Sequence, residues 1–151
     1  MENCIFCKIA KGEFDSAKVW EDENFLAILD LNPNTKGMTL VIPKNHFDSD
    51  PFLMPEADYQ NLMLAAKKVY GILRKGLNVS RVAMVVEGMG VNHVHIKLYP
   101  LYGIEKEFKE MWARDKVFFE DYQGYISTQL GPEADMKDLK KMAEEIKLHS
   151  K

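Results

Sequence analysis

Val91-Asn92-His93-Val94-His95-Ile96-Lys97-Leu98-Tyr99 is the stretch from which the rest of the chain is read. Strand periodicity puts His93, His95 and Lys97 on one face and Val94, Ile96 and Leu98 on the other. A half-exposed strand with basic residues turned outward has the same alternation, but His-x-His-x-Lys on a strand is uncommon and marks a candidate site. Upstream, Arg81 to Glu87 reads as a second strand, joined to the first by Gly88-Met89-Gly90, a turn sequence at hairpin spacing. Further back lie Val19-Trp20, Phe25 to Asp30 and Met38 to Pro43, short segments separated by turn chemistry such as Asn32-Pro33-Asn34-Thr35-Lys36-Gly37. Strands this close together in sequence pair antiparallel. Between the two groups, Leu62, Ala65, Ala66, Val69, Ile72 and Leu73 recur at helical spacing, behind Pro55 and the first-turn acids Glu56 and Asp58, until Gly76 stops the run. The pattern predicts an α+β domain: a mostly antiparallel sheet with one long helix.

Beyond Gly103 the texture changes. Glu105 to Lys116 has mixed charge and helical character, Tyr122 to Leu130 looks extended, and an amphipathic helix is expected from about Asp135 to His149. The division expected is therefore 1–103 for the main domain and 104–151 for an extension packed on it. Trp20 and Trp112 are expected to be packing anchors.

The chain has 151 residues, 46% hydrophobic and 28% charged, within the globular range. Twenty Lys and Arg against 23 Asp and Glu leave a formal charge of −3, which argues against a broad nucleic-acid footprint. Any phosphate must be met locally. The run Phe25 to Leu29 is far short of the roughly 20 residues that cross a bilayer, and the first residues lack a signal-peptide pattern. A soluble protein of the cytoplasm is expected, without nucleic-acid or membrane partners.

Cys4 and Cys7 are the two cysteines, too few for a disulfide scaffold. Their C-x-x-C spacing fits a redox pair, a short disulfide or half of a tetrahedral metal site. Redox pairs follow a βαβ-type strand, and here nothing precedes the motif. Two thiolates with two imidazoles make a standard zinc set, and His46 and His93 are the histidines that complete it. Such a closed set holds a structural ion, with no position open for substrate water.

The motifs Cys4-Ile5-Phe6-Cys7-Lys8-Ile9, Ala27-Ile28-Leu29-Asp30-Leu31-Asn32-Pro33, Gly37 to His46, and His93-Val94-His95-Ile96-Lys97 together resemble the histidine triad (HIT) family of nucleotidyl hydrolases and transferases, over about Asn3 to Tyr102. The resemblance implies that His95 is the nucleophile that attacks the α-phosphate and forms a nucleotidyl-histidine. It implies that Asp30 holds the ribose hydroxyls and that Phe6, Ile9, Ile28 and Leu31 surround the base. It matches Cys4, Cys7, His46 and His93 to the ligands of zinc-bearing members, and it implies a homodimer through the long helix, Glu56 to Gly76.

The residues support that role. An imidazole supplies a neutral nucleophilic nitrogen near neutral pH, and a two-step displacement lets one side chain attack and then leave. Lys97, on the same face, can stabilise phosphate charge, although a solvated edge-strand lysine explains it equally well. Three positions depart from the family pattern. Lys97 replaces the third histidine, Met38 replaces the histidine before Thr-Leu-Val-Ile-Pro, and the segment Glu87 to His93 is short and lacks hydroxyl and amide side chains at Gly88 to Val91. Lysine donates a proton poorly near neutral pH. The expected reaction is therefore hydrolysis of a nucleoside phosphoanhydride such as a dinucleoside polyphosphate, with phosphoramidates poor substrates. Transfer to a non-water acceptor, or a nucleotide-binding module with little turnover, are the alternatives.

Overall fold

The computed structural model describes residues 3–104, 106–127, 132–135 and 137. The chain divides into two compact units, Met1–Lys109 and Glu110–Lys151. In the first, helix α1 (Ile5–Ala10) precedes strands β1 (Lys18–Glu21), β2 (Phe25–Leu29) and β3 (Thr39–Pro43), helix α2 (Glu56–Leu77), and strands β4 (Arg81–Val85) and β5 (Ile96–Leu101). The five strands form one sheet in the order β1-β2-β3-β5-β4, every neighbouring pair antiparallel. The α+β class and the long central helix follow the sequence pattern.

Strands β2 and β3 are buried on both faces, which is why Phe25 to Leu29 reads as an unbroken apolar run rather than an alternation. The alternation is nevertheless there. Phe25, Ala27 and Val41 face the cluster built on Leu62, Ala65, Ala66, Val69 and Leu73 of α2, joined by Val94, Ile96 and Leu98. Leu26, Ile28, Leu40 and Ile42 face the other way, onto Phe6 and Ile9 of α1. Each buried Val, Leu, Ile or Phe among them contributes about 1.5–3 kcal/mol of transfer free energy, and α2 supplies the larger core and α1 a smaller one over the opposite face.

Glu56 and Asp58 lie in the first turn of helix α2 as expected, while Pro55, a residue suited to the first helical position, stands one place earlier as the N-cap. The helix runs one residue past Gly76, to Leu77, and stops where Asn78 takes the left-handed conformation (φ 53°), an angle that Asn tolerates better than most residues. Helix α1 was not anticipated by the sequence reading. Strand β5 starts at Ile96 rather than Val91, because the Val94 N–H donates to the Phe47 carbonyl (3.1 Å) and leaves the ladder. Residues 86–95 are therefore an irregular connection, not a tight hairpin. Even so, the predicted sidedness persists, with Val94, Ile96 and Leu98 toward α2.

Residues 106–116 form no helix, contrary to expectation, and Phe108, Met111 and Trp112 stand exposed, without the burial from which most helices draw their stability. Trp112 is thus no packing anchor, whereas Trp20 packs against the main core. Residues 122–127 form no strand. The final helix expected from Asp135 to His149 falls, apart from Asp135 and Lys137, outside the described residues.

Candidate active site and metal centre

Cys4 caps α1 and Cys7 lies one turn along it, so both thiols point from one short helix. Cys4 Sγ is 3.3 Å from His93 Nδ1, and Cys7 Sγ is 3.4 Å from His46 Nδ1 and 3.5 Å from His93 Nδ1. The four ligand atoms lie within 4.8 Å of one another, close enough to bind one metal ion. The protonation pattern fits such an ion. His93 Nε2–H donates to the Pro43 carbonyl (2.9 Å), which leaves Nδ1 with its lone pair toward the sulfurs. Burial holds the His93 pKa down to about 4, helped by His46 and His95 and opposed by the Pro43 bond, so the ring stays neutral and able to ligate. Burial and the neighbouring Cys4 push the Cys7 thiol up, the reverse of an activated redox thiol, although the pair does open a helix.

The loop carrying His46 is tied to the loop before His93. Asn92 Nδ2–H donates to Asp48 Oδ1 (3.1 Å) and Asn92 Oδ1 accepts the Ser49 N–H (3.0 Å). Gly88, at φ +77°, lies so close to Ser49 that a Cβ there would stand 2.5 Å from its carbonyl oxygen. Only glycine meets both conditions.

His95 is 3% exposed, and its Nδ1–H donates to the His93 carbonyl (2.8 Å). That bond fixes the tautomer and leaves Nε2 as the basic, nucleophilic nitrogen. The Phe6 ring stands edge-on to His95 (5.1 Å between centroids) and to His93 (5.8 Å). Burial pushes the His95 pKa below its ordinary value; the backbone bond opposes this, Lys97 adds to it, and Asp30 and Glu87 pull it back. Three charged groups therefore act on this imidazole. Lys97 Nζ–H donates to Glu87 Oε2 (2.8 Å), the side chains being 22% and 10% exposed. Val85 pairs with Lys97 across the sheet, so Glu87, two residues beyond Val85, reaches the same face.

Asp30 Oδ1 accepts the Asn32 N–H (2.8 Å), which orients the carboxylate at the mouth of the Asn32–Gly37 turn. Phe6, Ile9 and Ile28 meet in one buried cluster, but Leu31 does not join them: it is 93% exposed on the turn. Met38 is buried. Sequence reasoning missed Glu87 and Asn92. Opposite charges near the ends of consecutive strands were the available signal for Glu87; for Asn92 there was none.

Residues 11–103 match the family model of the HIT domain, and the chain belongs to that family. An uncharacterised HIT-like protein of Methanocaldococcus jannaschii is 43% identical over 103 residues, covering 66% of this chain and 79% of the relative. The adenosine 5′-monophosphoramidase of Schizosaccharomyces pombe is 37% identical over 98 residues, 65% of this chain and 74% of that enzyme. A crystal structure from Streptococcus mutans superposes with a TM-score of 0.72 at 31% identity, covering 100% of this chain and 87% of that one. The fold and a hydrolase-type family are thereby shown.

Proposed function

We propose that the protein is a nucleotidyl hydrolase acting on a nucleoside phosphoanhydride through a covalent nucleotidyl-histidine on His95. The observation that carries the reading is the hydrogen bond from His95 Nδ1–H to the His93 carbonyl, which leaves Nε2 with a lone pair on a ring that Lys97, Asp30 and Glu87 act on electrostatically. Nε2 attacks the α-phosphorus, and the bond to the leaving oxygen breaks as that group departs with the electron pair. Water then attacks the phosphorus, the P–N bond breaks, its electrons return to Nε2, and the water's proton passes to solvent. Lys97 stabilises charge on the phosphate oxygens in both steps. Asp30, oriented by Asn32, takes the ribose hydroxyls; Phe6, Ile9 and Ile28 form an apolar bed for the base, and exposed Leu31 is covered when the base is present.

The metal is assigned as structural zinc on Cys4, Cys7, His46 and His93. A tetrahedral zinc with bonds of about 2.3 Å to sulfur and about 2.0 Å to nitrogen separates unlike ligand atoms by about 3.5 Å, and three of the four S···N distances here are 3.3 to 3.5 Å, with all four ligand atoms within 4.8 Å of one another. When bound, the ion would pin α1 to the strand end bearing the nucleophile. Exposed Leu64 and Ile72 on α2 and Met84 on β4 are apolar groups that a second copy would cover, in keeping with a homodimer through α2.

Because the relative from Schizosaccharomyces pombe is named for cleaving a phosphoramidate, the choice of bond is the test. Lys97 is a poor proton donor to an amine, whereas pyrophosphate-type groups leave unprotonated. Turnover of a dinucleoside polyphosphate should exceed that of adenosine 5′-phosphoramidate by about a hundredfold or more, the lower end of a general-acid contribution. Faster amide cleavage contradicts the assignment.

A further inference from the structure

The Lys97–Glu87 pair is the feature of the site that neither the resemblance nor the comparisons explain. A lysine meant only to attract phosphate gains nothing from a carboxylate 2.8 Å away that cancels its charge. Nor is the contact a chance surface pair, since Glu87 is only 10% exposed and precedes Gly88, which the Ser49 carbonyl holds in a conformation and a space closed to other residues. The Asn92 bonds to Asp48 and Ser49 fix the other end of the same segment. The carboxylate is thus delivered by a loop anchored on both sides.

We propose that Glu87 is a positioning and specificity-determining residue that holds the Lys97 ammonium against the reacting phosphate and offsets its charge. The ammonium has three N–H groups; one goes to Glu87, and the remaining two are aimed rather than free to rotate. The site then recognises the phosphate under attack by short hydrogen bonds, and the total charge of the leaving group adds little attraction. Substrates with short and long phosphate chains are accepted on similar terms, which suits an enzyme for phosphoanhydrides of varied length. The inference rests on the reading of His95 as the nucleophile.

Two substrates of one nucleoside separate the roles: the p-nitrophenyl ester of adenosine monophosphate, a monoanion, and diadenosine tetraphosphate, a polyanion. Glu87→Gln keeps an acceptor for Lys97 but removes the charge. It should lower KM for the tetraphosphate about tenfold relative to KM for the aryl ester, steepen the salt dependence of that KM, and change kcat by less than about threefold. Glu87→Ala removes the acceptor as well and should lower kcat on both substrates. In a Lys97→Met background, Glu87→Gln should change the KM ratio by less than about twofold, because its effect passes through Lys97. Equal KM changes for the two substrates, or an undiminished KM effect without Lys97, overturn the proposal. A His95→Gly variant that keeps full turnover overturns the nucleophile reading instead, so the two failures are distinct.

Discussion

In the proposed reaction, His95 works through a balance that is readable atom by atom. Its backbone bond chooses the tautomer, and its burial keeps the ring neutral. Burial lowers the pKa from the ordinary 6.5, so the neutral, attacking form persists as pH falls past that value. The acid limb of the kcat/KM profile should accordingly lie below 6.5, with activity retained there and lost only at more acidic pH. A limb at or above 6.5 would mean that the imidazole is not desolvated in the working enzyme. At this scale the sequence was most informative about residue types whose chemistry is rare: spacing picked out the two cysteines and the face that carries His93, His95 and Lys97, and the resemblance to the family singled out His95 among them. Glu87 and Asn92 could not be picked out, because a carboxylate or an amide acquires its role only once register and loop path bring a partner to it. Leu31 is the converse case, a position matched by motif whose side chain stands in solvent on the turn.

Among the elements, α1 depends most on a few groups. It spans only Ile5–Ala10, has no acidic residue in its first turn and no side-chain cap, and rests on the sheet through Phe6 and Ile9. So short a helix is marginal by itself, and that is also why no periodicity betrayed it in the sequence. A metal joining Cys4 and Cys7 to His46 and His93 would supply the missing attachment. Purified protein should carry about one zinc per chain, and Cys4→Ser should lose it together with about 2 kcal/mol, equivalent to about 4–8 °C in melting temperature. Unchanged melting after removal of the metal would contradict the four-ligand assignment. Helix α2 was legible for the converse reason: its length repeats the apolar spacing many times, and its acids and bases lie at the ends the dipole favours. The stretch 106–116, expected to be helical from its mixed charge and residue types, lacks that repeated apolar spacing and forms no helix.

Across the whole of the first unit, the sheet separates two tasks. One face carries α2 and the larger core; the other carries α1, the thiols, both motif histidines and the apolar bed beside Asp30. Alternation along β5 and its approach connects the faces, because Val94, Ile96 and Leu98 anchor the backbone in the core while His93, His95 and Lys97 work on the opposite side. The proposed nucleophile is therefore mounted on backbone anchored in the core, as a group that must be held in line with phosphorus requires. Rapid quenching of the enzyme with diadenosine tetraphosphate, followed by mass spectrometry of its peptides, tests this directly. The account predicts an adenylyl group on Nε2 of His95 that forms and decays at rates able to support turnover, and that is absent from His95→Gly. Steady turnover with no adduct on His95, or an adduct on another residue, would contradict it.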